Sequence, residues 1–180
     1  MIQSDPQIAD RAAIAELNAR FAWLIDHENG HGVPELFTAD GRYGYEGHWC
    51  EGAAEIEDFY ARRRQRGTRK SRHVFTNSWT IFESDDLALS QSILTLFATD
   101  GATEASASPV CILHYSDTLL RQADGRWRYR ERCVTPVFGR MPRLMEEMPA
   151  GARSLAPPAR SPSAGRVAGP AVPIPGPAVI

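Results

Sequence analysis

The sequence has few of the features that mark disulfide-rich, membrane or nucleic-acid-binding proteins. Its three cysteines, Cys50, Cys111 and Cys133, lie far apart in no metal-binding spacing, which is typical of reduced thiols in the cytoplasm. No secretion signal is recognisable in the first residues, and no window approaches the roughly 20 apolar residues of a membrane-spanning helix. The net charge is only −2. We therefore expect a cytoplasmic globular protein with neither nucleic acid nor membrane as its partner.

Well-known catalytic motifs are also missing. The sequence contains no Gly-x-Ser-x-Gly nucleophile motif, no Gly-x-Gly-x-x-Gly fingerprint and no paired Cys-x-x-Cys. These absences disfavour covalent, nucleotide-dependent and zinc chemistry, and we expect neither a metal nor another cofactor. Any chemistry would have to come from single acid–base side chains.

The first part of the chain has helical periodicity. A long helix is predicted to begin near Pro6, with an apolar stripe formed by Ile14, Leu17, Phe21, Leu24 and Ile25. A separate row of small side chains on the same helix consists of Ala15, Ala19, Ala22 and the carboxylate of Asp26. Such a row could bring Asp26 close to a neighbouring strand. The alternative is that Asp26 merely begins the exposed end of the helix.

From residue 72 onward, strand periodicity replaces helical periodicity. Strands are predicted at 87–97, 110–121 and 126–138, with a hairpin turn at Asp124-Gly125. Another tight turn is predicted at Asp40-Gly41, ahead of a short aromatic hairpin over 42–49. Helices followed by an antiparallel meander predict an α+β domain, in which a curved antiparallel sheet is covered by helices on one face.

One histidine lies on the aromatic face of the first long strand. Counting by twos from His73 places Phe75, Asn77, Trp79 and Ile81 on the same face. A histidine in this position is either a packed core residue or the working group of a pocket. If Asp26 accepts a hydrogen bond from one imidazole nitrogen, the other nitrogen becomes a general base. We expect Phe21, Phe75 and Trp79 to line the surrounding cavity.

A basic cluster precedes this histidine. Seven cations fall within residues 62–72, namely Arg62, Arg63, Arg64, Arg66, Arg69, Lys70 and Arg72. Such a cluster could hold nucleic acid or an anionic ligand. A solvated helix end and loop is the favoured interpretation, because no aromatic residue is interleaved for base stacking.

The end of the chain has a different composition. Residues 149–180 contain eight prolines, eight alanines and four glycines, but no acidic residue. Such a segment buries too little apolar surface to offset the entropy of ordering it. We predict one domain over 1–140 and an extension over 141–180 that is disordered or packs on a partner subunit. We also expect a homo-oligomer, either a dimer or a trimer.

Five short motifs resemble, in order and spacing, the SnoaL-like branch of the nuclear transport factor 2-like superfamily. They are Ile14-x-x-Leu17 through Asp26, Leu36-Phe37-Thr-Ala-Asp40, Gly52-x-x-x-Ile56, Arg72-His73-x-x-x-Asn77, and Asp124-Gly125-x-Trp127 through Arg132. The resemblance implies a cone-shaped, cystatin-like roll with a deep pocket. Members similar to scytalone dehydratase eliminate water or chloride from a ring without a cofactor. Their catalytic histidine and orienting aspartate would correspond to His73 and Asp26.

The resemblance also suggests where substrate binds. Tyr45 stands where the dehydratases place a tyrosine that binds substrate oxygen. Phe21 stands where another member of the family, bile acid 7α-dehydratase, has a catalytic tyrosine. Arg132 is either a partner for the leaving group or a plain solvent-facing charge, and His114 is another possible lining residue. The candidate substrate-binding set is Phe21, Tyr45, Trp49, Phe75, Asn77 and Arg132.

Together these residues predict a cofactor-independent lyase of the dehydratase type, acting on a small hydrophobic ligand that contains a ring. Elimination needs a base, a dry pocket and a group that receives the leaving group. An isomerase would use the same pocket. The same fold also serves as a non-catalytic ligand-binding or assembly domain in relatives, including the small subunits of ring-hydroxylating dioxygenases.

Overall fold

The computed structural model describes residues 7–101 and 107–150. In those residues the chain forms two α-helices, six β-strands and two short 3-10 helices. The helices are α1 at Ile8–His27 and α2 at Gly52–Gln65, with 3-10 turns at Val33–Leu36 and Met145–Glu147. The strands are β1 Phe37–Tyr45, β2 His48–Glu51, β3 Arg69–Phe82, β4 Leu87–Asp100, β5 Cys111–Arg121 and β6 Trp127–Phe138. No helix within the described ranges is long and apolar enough to cross a membrane.

The six strands form one sheet in the order β2-β1-β6-β5-β4-β3. After β2, helix α2 carries the chain from one edge of the sheet to the other, where β3 begins. The meander from β3 to β6 then returns, so that β6 lies beside β1 and runs parallel to it. The other neighbouring pairs are antiparallel. The predicted α+β class is confirmed, although the sheet is mixed and not wholly antiparallel.

The core lies between the helices and one face of this sheet. Alternate residues of β4 and β5 point inward, including Leu94, Leu96, Leu113 and Tyr115, and all are buried. The apolar stripe of α1 packs against them through Ile14, Leu17, Phe21 and Ile25. Burying one large apolar side chain stabilises the fold by about 1.5–3 kcal/mol, so this layer contributes most of the favourable free energy.

A β-bulge interrupts the alternation of β3. Thr76 pairs with Ile93 and Trp79 with Gln91, so three steps along β3 match two along β4. The extra residue is accommodated at Asn77, whose φ of 51° is in the left-handed region that asparagine tolerates. Beyond the bulge the two faces exchange, and Trp79 is 48% exposed on the outer face. The prediction that Trp79 lines a cavity with His73 is therefore wrong.

The Asp40-Gly41 pair forms an irregularity inside β1 and not the predicted tight turn. Phe37 pairs with Tyr129 and Arg42 with Glu131, which leaves four residues of β1 opposite one of β6. A Cβ at Gly41 would lie 2.8 Å from the Tyr129 carbonyl oxygen, too close for any side chain. Glycine is needed here for the close approach of two backbones and not for chain reversal.

Residues 139–150 pack onto the domain after β6 ends. Met145 and Met148 are buried in the core, and the Trp49 backbone N–H donates to the Pro149 carbonyl over 2.9 Å. His48 and Ala150 form an isolated antiparallel bridge. The packed chain thus continues ten residues beyond the boundary drawn at residue 140. Residues 151–180 lie outside the described residues, so the expected disorder or partner packing of the extension stays a prediction.

Candidate functional site

Asp26 and His73 are in direct contact. Asp26 lies on the last turn of α1, and its Oδ1 is 2.6 Å from Nδ1 of His73 near the start of β3. The backbone N–H of His73 also donates to Asp26 Oδ2 over 2.7 Å. The two side chains are only 5% and 12% exposed, respectively. Of the alanines predicted to share the row of Asp26, Ala22 is buried while Ala15 and Ala19 are exposed.

The Asp26 carboxylate is held ionised although its position is unfavourable. Burial raises its pKa, and the negative end of the helix dipole also disfavours a carboxylate at a helix C-terminus. Hydrogen bonds from the His73 ring, the His73 backbone and the Ser71 hydroxyl outweigh burial, and the net pKa is lowered. With an ionised acceptor at Nδ1, a neutral His73 ring carries its proton there and leaves Nε2 unprotonated.

Ser71 and Arg63 extend this contact into a chain of hydrogen bonds. Ser71 Oγ donates to Asp26 Oδ1 over 2.7 Å, and Arg63 Nη2 donates to Ser71 Oγ over 3.1 Å. Ser71 is buried two residues before His73 on the same strand face. The guanidinium at the end of α2 is therefore connected to the imidazole through Ser71 and Asp26.

His73 lines a cavity of about 630 Å³ between α1, α2, the sheet and residues 140–146. A volume of that size fits a small ring compound. Its apolar wall includes Ile25, Phe59, Leu94, Leu96, Val110, Leu113, Met141, Pro142, Leu144 and Met145. Its charged lining residues are Arg63, Arg66, Arg69, Asp100, Arg140, Arg143 and Glu146. The buried wall is mainly apolar and the exposed part is mainly basic.

Three buried tyrosines also line the cavity. Burial raises the pKa of Tyr43 above its usual value and that of Tyr60 and Tyr115 further still. Like ordinary tyrosines they are protonated at neutral pH, and the upward shift makes ionisation still less favourable, so their hydroxyls can donate hydrogen bonds to a ligand oxygen. The Tyr43 hydroxyl lies 3.8 Å from Met145 Sδ, which joins it to the segment after β6.

The predicted aromatic residues lie behind the cavity wall and not in it. Phe21 is fully buried and packs edge-on against Tyr43 and Tyr115 at centroid distances of 5.7 and 6.4 Å. Phe75 packs edge-on against Tyr115 at 5.2 Å. Both rings support tyrosines that line the cavity, and neither Phe21 nor Phe75 is itself among the lining residues.

Tyr45, Trp49 and Asn77 are also outside the cavity lining. Tyr45 stacks on His48 at the far end of β1, with ring centroids 4.6 Å apart. Trp49 is buried beneath the Arg42 guanidinium, which lies 4.2 Å from the ring centroid. Asn77 is exposed in the β3 bulge. Tyr43 and Tyr45 share one face of β1, but only Tyr43 lies deep enough in the domain to line the cavity.

Arg132 is fully buried and paired within the core. Its Nε and Nη2 donate to the two carboxylate oxygens of Asp117 over 2.9 and 2.8 Å. Nη2 also contacts Asn18 Oδ1, and the guanidinium lies 3.9 Å from the ring centroid of Tyr129. Neither predicted role fits this position, since Arg132 neither lines the cavity nor faces solvent. It cross-links β5, β6 and α1 behind the cavity.

Sequence reasoning missed several lining residues. Tyr60 lies on the apolar stripe of α2, but helical spacing alone does not distinguish a core residue from one that lines a cavity. Tyr115 alternates with His114 on β5, and the inward position belongs to Tyr115, so His114 lies on the outer face. Residues 140–146 carried no signal, because their position depends on how the chain folds back after β6. No group of three side chains suited to hold a metal occurs in the described part of the chain.

Comparison with protein families shows which family this fold belongs to. The model of the SnoaL-like domain matches residues 6–133. The chain therefore belongs to the SnoaL-like family. This fold family includes dehydratases and isomerases. Among curated proteins, no significant match is found.

Solved structures show the same fold at low sequence identity. A protein of unknown function from Mycobacterium tuberculosis is 24% identical, with a TM-score of 0.61 and 73% of each chain covered. A candidate scytalone dehydratase from Novosphingobium aromaticivorans is 17% identical, with a TM-score of 0.63 over 73% of this chain and 87% of that one. The β subunit of a candidate aromatic-ring-hydroxylating dioxygenase from the same organism is 16% identical, with a TM-score of 0.68 over 78% and 97%. Identities this low establish the fold alone.

Proposed function

We propose that this protein is a cofactor-independent lyase that eliminates water, or a related leaving group, from a small cyclic or aromatic substrate. The observation that carries the proposal is the 2.6 Å contact between Asp26 Oδ1 and His73 Nδ1 beside a cavity large enough for a ring compound. A buried carboxylate that fixes the tautomer of a cavity-lining histidine is the arrangement a general base needs.

In the proposed reaction, Nε2 of neutral His73 takes a proton from the carbon next to the one that bears the leaving hydroxyl. The C–H electron pair forms the new double bond while the C–O bond breaks. The imidazolium then returns its proton to the departing oxygen, so water leaves and His73 is neutral again. Asp26 orients the ring and stabilises the transient imidazolium.

The tyrosine hydroxyls would position the oxygen that leaves. Tyr43 and Tyr115 line the same cavity as His73. Their phenols are protonated at neutral pH, as tyrosines ordinarily are, and burial raises their pKa further. A protonated phenol can donate a hydrogen bond to a hydroxyl or carbonyl oxygen of the substrate as negative charge develops there. We therefore assign binding of the substrate oxygen to these two residues and not to Tyr45, the residue predicted for it from the sequence.

The experiment is a screen of hydroxylated and halogenated ring compounds with product detection by mass spectrometry. The lyase proposal expects a product lighter by one water or one hydrogen halide. His73→Ala should lower kcat by about 10²–10⁴-fold, the usual contribution of a general base. His114→Ala is the matched control, since His114 is a strand histidine on the outer face, and its activity should equal that of the wild type.

Other outcomes of the same screen separate the alternatives. A product of unchanged mass with a shifted double bond would identify an isomerase that uses the same base. A compound that binds wild type and His73→Ala equally and is recovered unchanged would support a non-catalytic binding domain. Loss of turnover in His114→Ala but not in His73→Ala would contradict the assignment of the base.

A homo-oligomer stays part of the proposal. The outer face of the sheet exposes Val74, Trp79, Val137 and Phe138, each more than 40% accessible in the single chain. A second copy would shield this apolar face from water. Light scattering should give a mass above that of one chain, and Trp79→Lys should lower it. A monomeric wild type would contradict this part of the proposal.

A further inference from the structure

Arginines surround the exposed part of the cavity. Five line it, three between the last turn of α2 and the first residue of β3 and two from the segment after β6: Arg63, Arg66, Arg69, Arg140 and Arg143. The carboxylates among the lining residues are Asp100 and Glu146. Part of the basic cluster at 62–72 therefore lines a cavity. Arg66 is exposed, as a solvated helix end predicts, whereas Arg63 is half-buried and that interpretation is wrong for it.

Only part of this positive charge is paired within the protein. Arg69 pairs with Asp100 over 2.5 Å, and Arg66 pairs with Glu147. Arg140 and Arg143 are exposed, and neither forms an ion pair with any carboxylate in the described ranges. Two guanidinium groups at the opening are thus available to an anionic ligand.

Arg63 lies deeper than the other four. It is half-buried, its Nη2 donates to Ser71 Oγ over 3.1 Å, and its Nε is buried without a hydrogen-bond partner in the described part of the protein. A guanidinium has five N–H donors, and Ser71 accepts one of those of Arg63, so Arg63 can offer others to an anion in the cavity that it lines. Through Ser71 and Asp26, the same guanidinium is connected to His73.

The charge of this region is opposite to that of the whole chain. The net charge is −2, whereas five arginines and two carboxylates line the cavity. Apolar walls beneath a ring of one charge concentrate the field and attract ligands of the opposite sign. Arginine also suits this role chemically, since its planar guanidinium binds carboxylate and phosphate through two parallel hydrogen bonds.

We infer that the ligand of this cavity is an anionic ring compound, with its ring among Tyr43, Tyr60 and Tyr115 and its carboxylate or phosphate held by the arginines at the opening. This inference rests on the proposed function only in that the ring would lie beside His73. Binding energy from an anion at Arg63 would fix the ring relative to the base, which is how a remote group contributes to catalysis.

Three probes with the same ring test the charge requirement, namely 2-naphthoate, 2-naphthyl phosphate and the neutral 2-naphthamide, each titrated calorimetrically into the full-length protein. We expect the better anion to bind about tenfold or more tightly than the amide at low salt, a difference of about 1.4 kcal/mol. The preference should shrink in 0.5 M salt, because salt screens exposed charges. The screening length is already only roughly 10 Å at about one fifth of that ionic strength. Which anion binds more tightly identifies carboxylate or phosphate as the natural group.

Two variants localise the preference. Arg63→Gln and the double variant Arg140→Gln with Arg143→Gln should each weaken anion binding several-fold and leave amide binding unchanged. Arg126→Gln is the matched control, because Arg126 is an exposed arginine in the β5–β6 turn, remote from the cavity lining. Equal affinity for the charged and neutral probes, or no binding of any probe, would overturn the inference. So would an anion preference that survives in both variants.

The same titrations separate this inference from the proposed lyase. His73→Ala should keep the preference for the anion, because the arginines are intact. If the preference is present but no ring acid is turned over, the anionic-ligand inference stands and the lyase proposal fails. If neutral rings are turned over by His73 and bound as tightly as their acids, the anionic-ligand inference fails and the role of His73 stands.

Discussion

Ser71 Oγ donates a 2.7 Å hydrogen bond to the same oxygen of Asp26 that lies 2.6 Å from His73 Nδ1. One carboxylate oxygen therefore receives both donors, while the backbone N–H of His73 occupies the other oxygen. Ser71 and His73 stand two residues apart on β3, so their side chains reach Asp26 from one strand face. Strand β3 thus offers three hydrogen-bond donors to the Asp26 carboxylate at the end of α1.

Removing the Ser71 hydroxyl should weaken this site in a measurable way. Ser71→Ala deletes a buried hydrogen bond to a charged group, which costs about 1.5–3 kcal/mol of unfolding free energy. The pKa of Asp26 should rise toward its ordinary value, and turnover should fall while probe affinity holds. Urea denaturation and acid titration of the Asp26 carboxyl by NMR measure both effects. Ser78→Ala, at an exposed position of the same strand, is the control.

The outcome for Ser71→Ala is decisive in either direction. If the Asp26 pKa and the unfolding free energy equal those of Ser78→Ala, the Ser71 hydrogen bond contributes nothing and Asp26 is held by His73 alone.

The stabilisation by Asp26 should depend on pH. Its folded pKa lies below its ordinary value of 3.8, so its contribution is present above that pH and is lost as the pH falls toward the folded pKa. Asp26→Asn should be less stable than wild type at pH 6, and the gap should shrink below about pH 4. Urea denaturation from pH 6 to about 2.5 measures it.

The exposed turn variant Asp85→Asn is the control for the same series, since surface substitutions change stability by about 0.5 kcal/mol or less. A gap between wild type and Asp26→Asn that stays constant through acid, or widens, would show that the carboxylate is not stabilised in its charged form.

The contact of Asp26 with His73 was accessible from sequence because each residue has a regular position in a long periodic element. Helical spacing placed Asp26 in one row with the buried Ala22, although Ala15 and Ala19 of that row are exposed, and strand alternation placed His73 inward. The same counting failed at Trp79, because one extra residue at Asn77 exchanges the two faces of β3. Asparagine tolerates a positive φ there but does not impose it, so the sequence contained no unambiguous signal for the bulge.

The cavity itself was less predictable than the fold. Alternation gives the face of a residue but not its depth, so it could not separate Tyr43 from Tyr45. The positions and ion-pair partners of the arginines were equally unpredictable from local sequence. Arg132 meets Asp117 across β5 and β6, and Arg140 and Arg143 reach the cavity only because the segment after β6 folds back to β2. Each of these depends on long-range packing that no local pattern records.

Gly30 positions the end of α1 against the cavity wall. Its φ is +85°, and a Cβ there would lie 2.2 Å from Tyr60 Cδ1. Gly47 has the same φ but nothing within 4 Å of the added atom. Gly47→Ala should therefore cost only the backbone strain of about 1–2 kcal/mol. Gly30→Ala should cost about 1–3 kcal/mol more, because the alanine also displaces a buried ring.

Thermal or urea unfolding of the two glycine variants measures this difference, and tyrosine NMR signals report whether Tyr60 moves. Equal destabilisation of Gly30→Ala and Gly47→Ala would mean that the Tyr60 ring moves aside at little energetic cost. The cavity wall at Tyr60 would then be deformable.

Arg132 should act on stability and not directly on ligand binding. It is wholly buried, and Arg132→Gln would leave the Asp117 carboxylate without its bidentate partner, which costs about 3–5 kcal/mol. Arg128→Gln is the control, because Arg128 also lies on β6 but pairs with the exposed Asp124 in the turn before that strand, and its loss should cost far less. Urea unfolding measures both variants.

Probe titration below the unfolding transition then separates structure from binding. If Arg132→Gln keeps wild-type affinity for 2-naphthoate while it loses stability, the ion pair with Asp117 supports the wall from behind. If the variant is as stable as wild type but binds the probe more weakly, Arg132 acts on the ligand directly, which was one of its two predicted roles. The surrounding rings favour the first outcome, because Phe21 and Tyr129 lie 4.3 and 3.9 Å from the guanidinium and would lose a cation as well as packing.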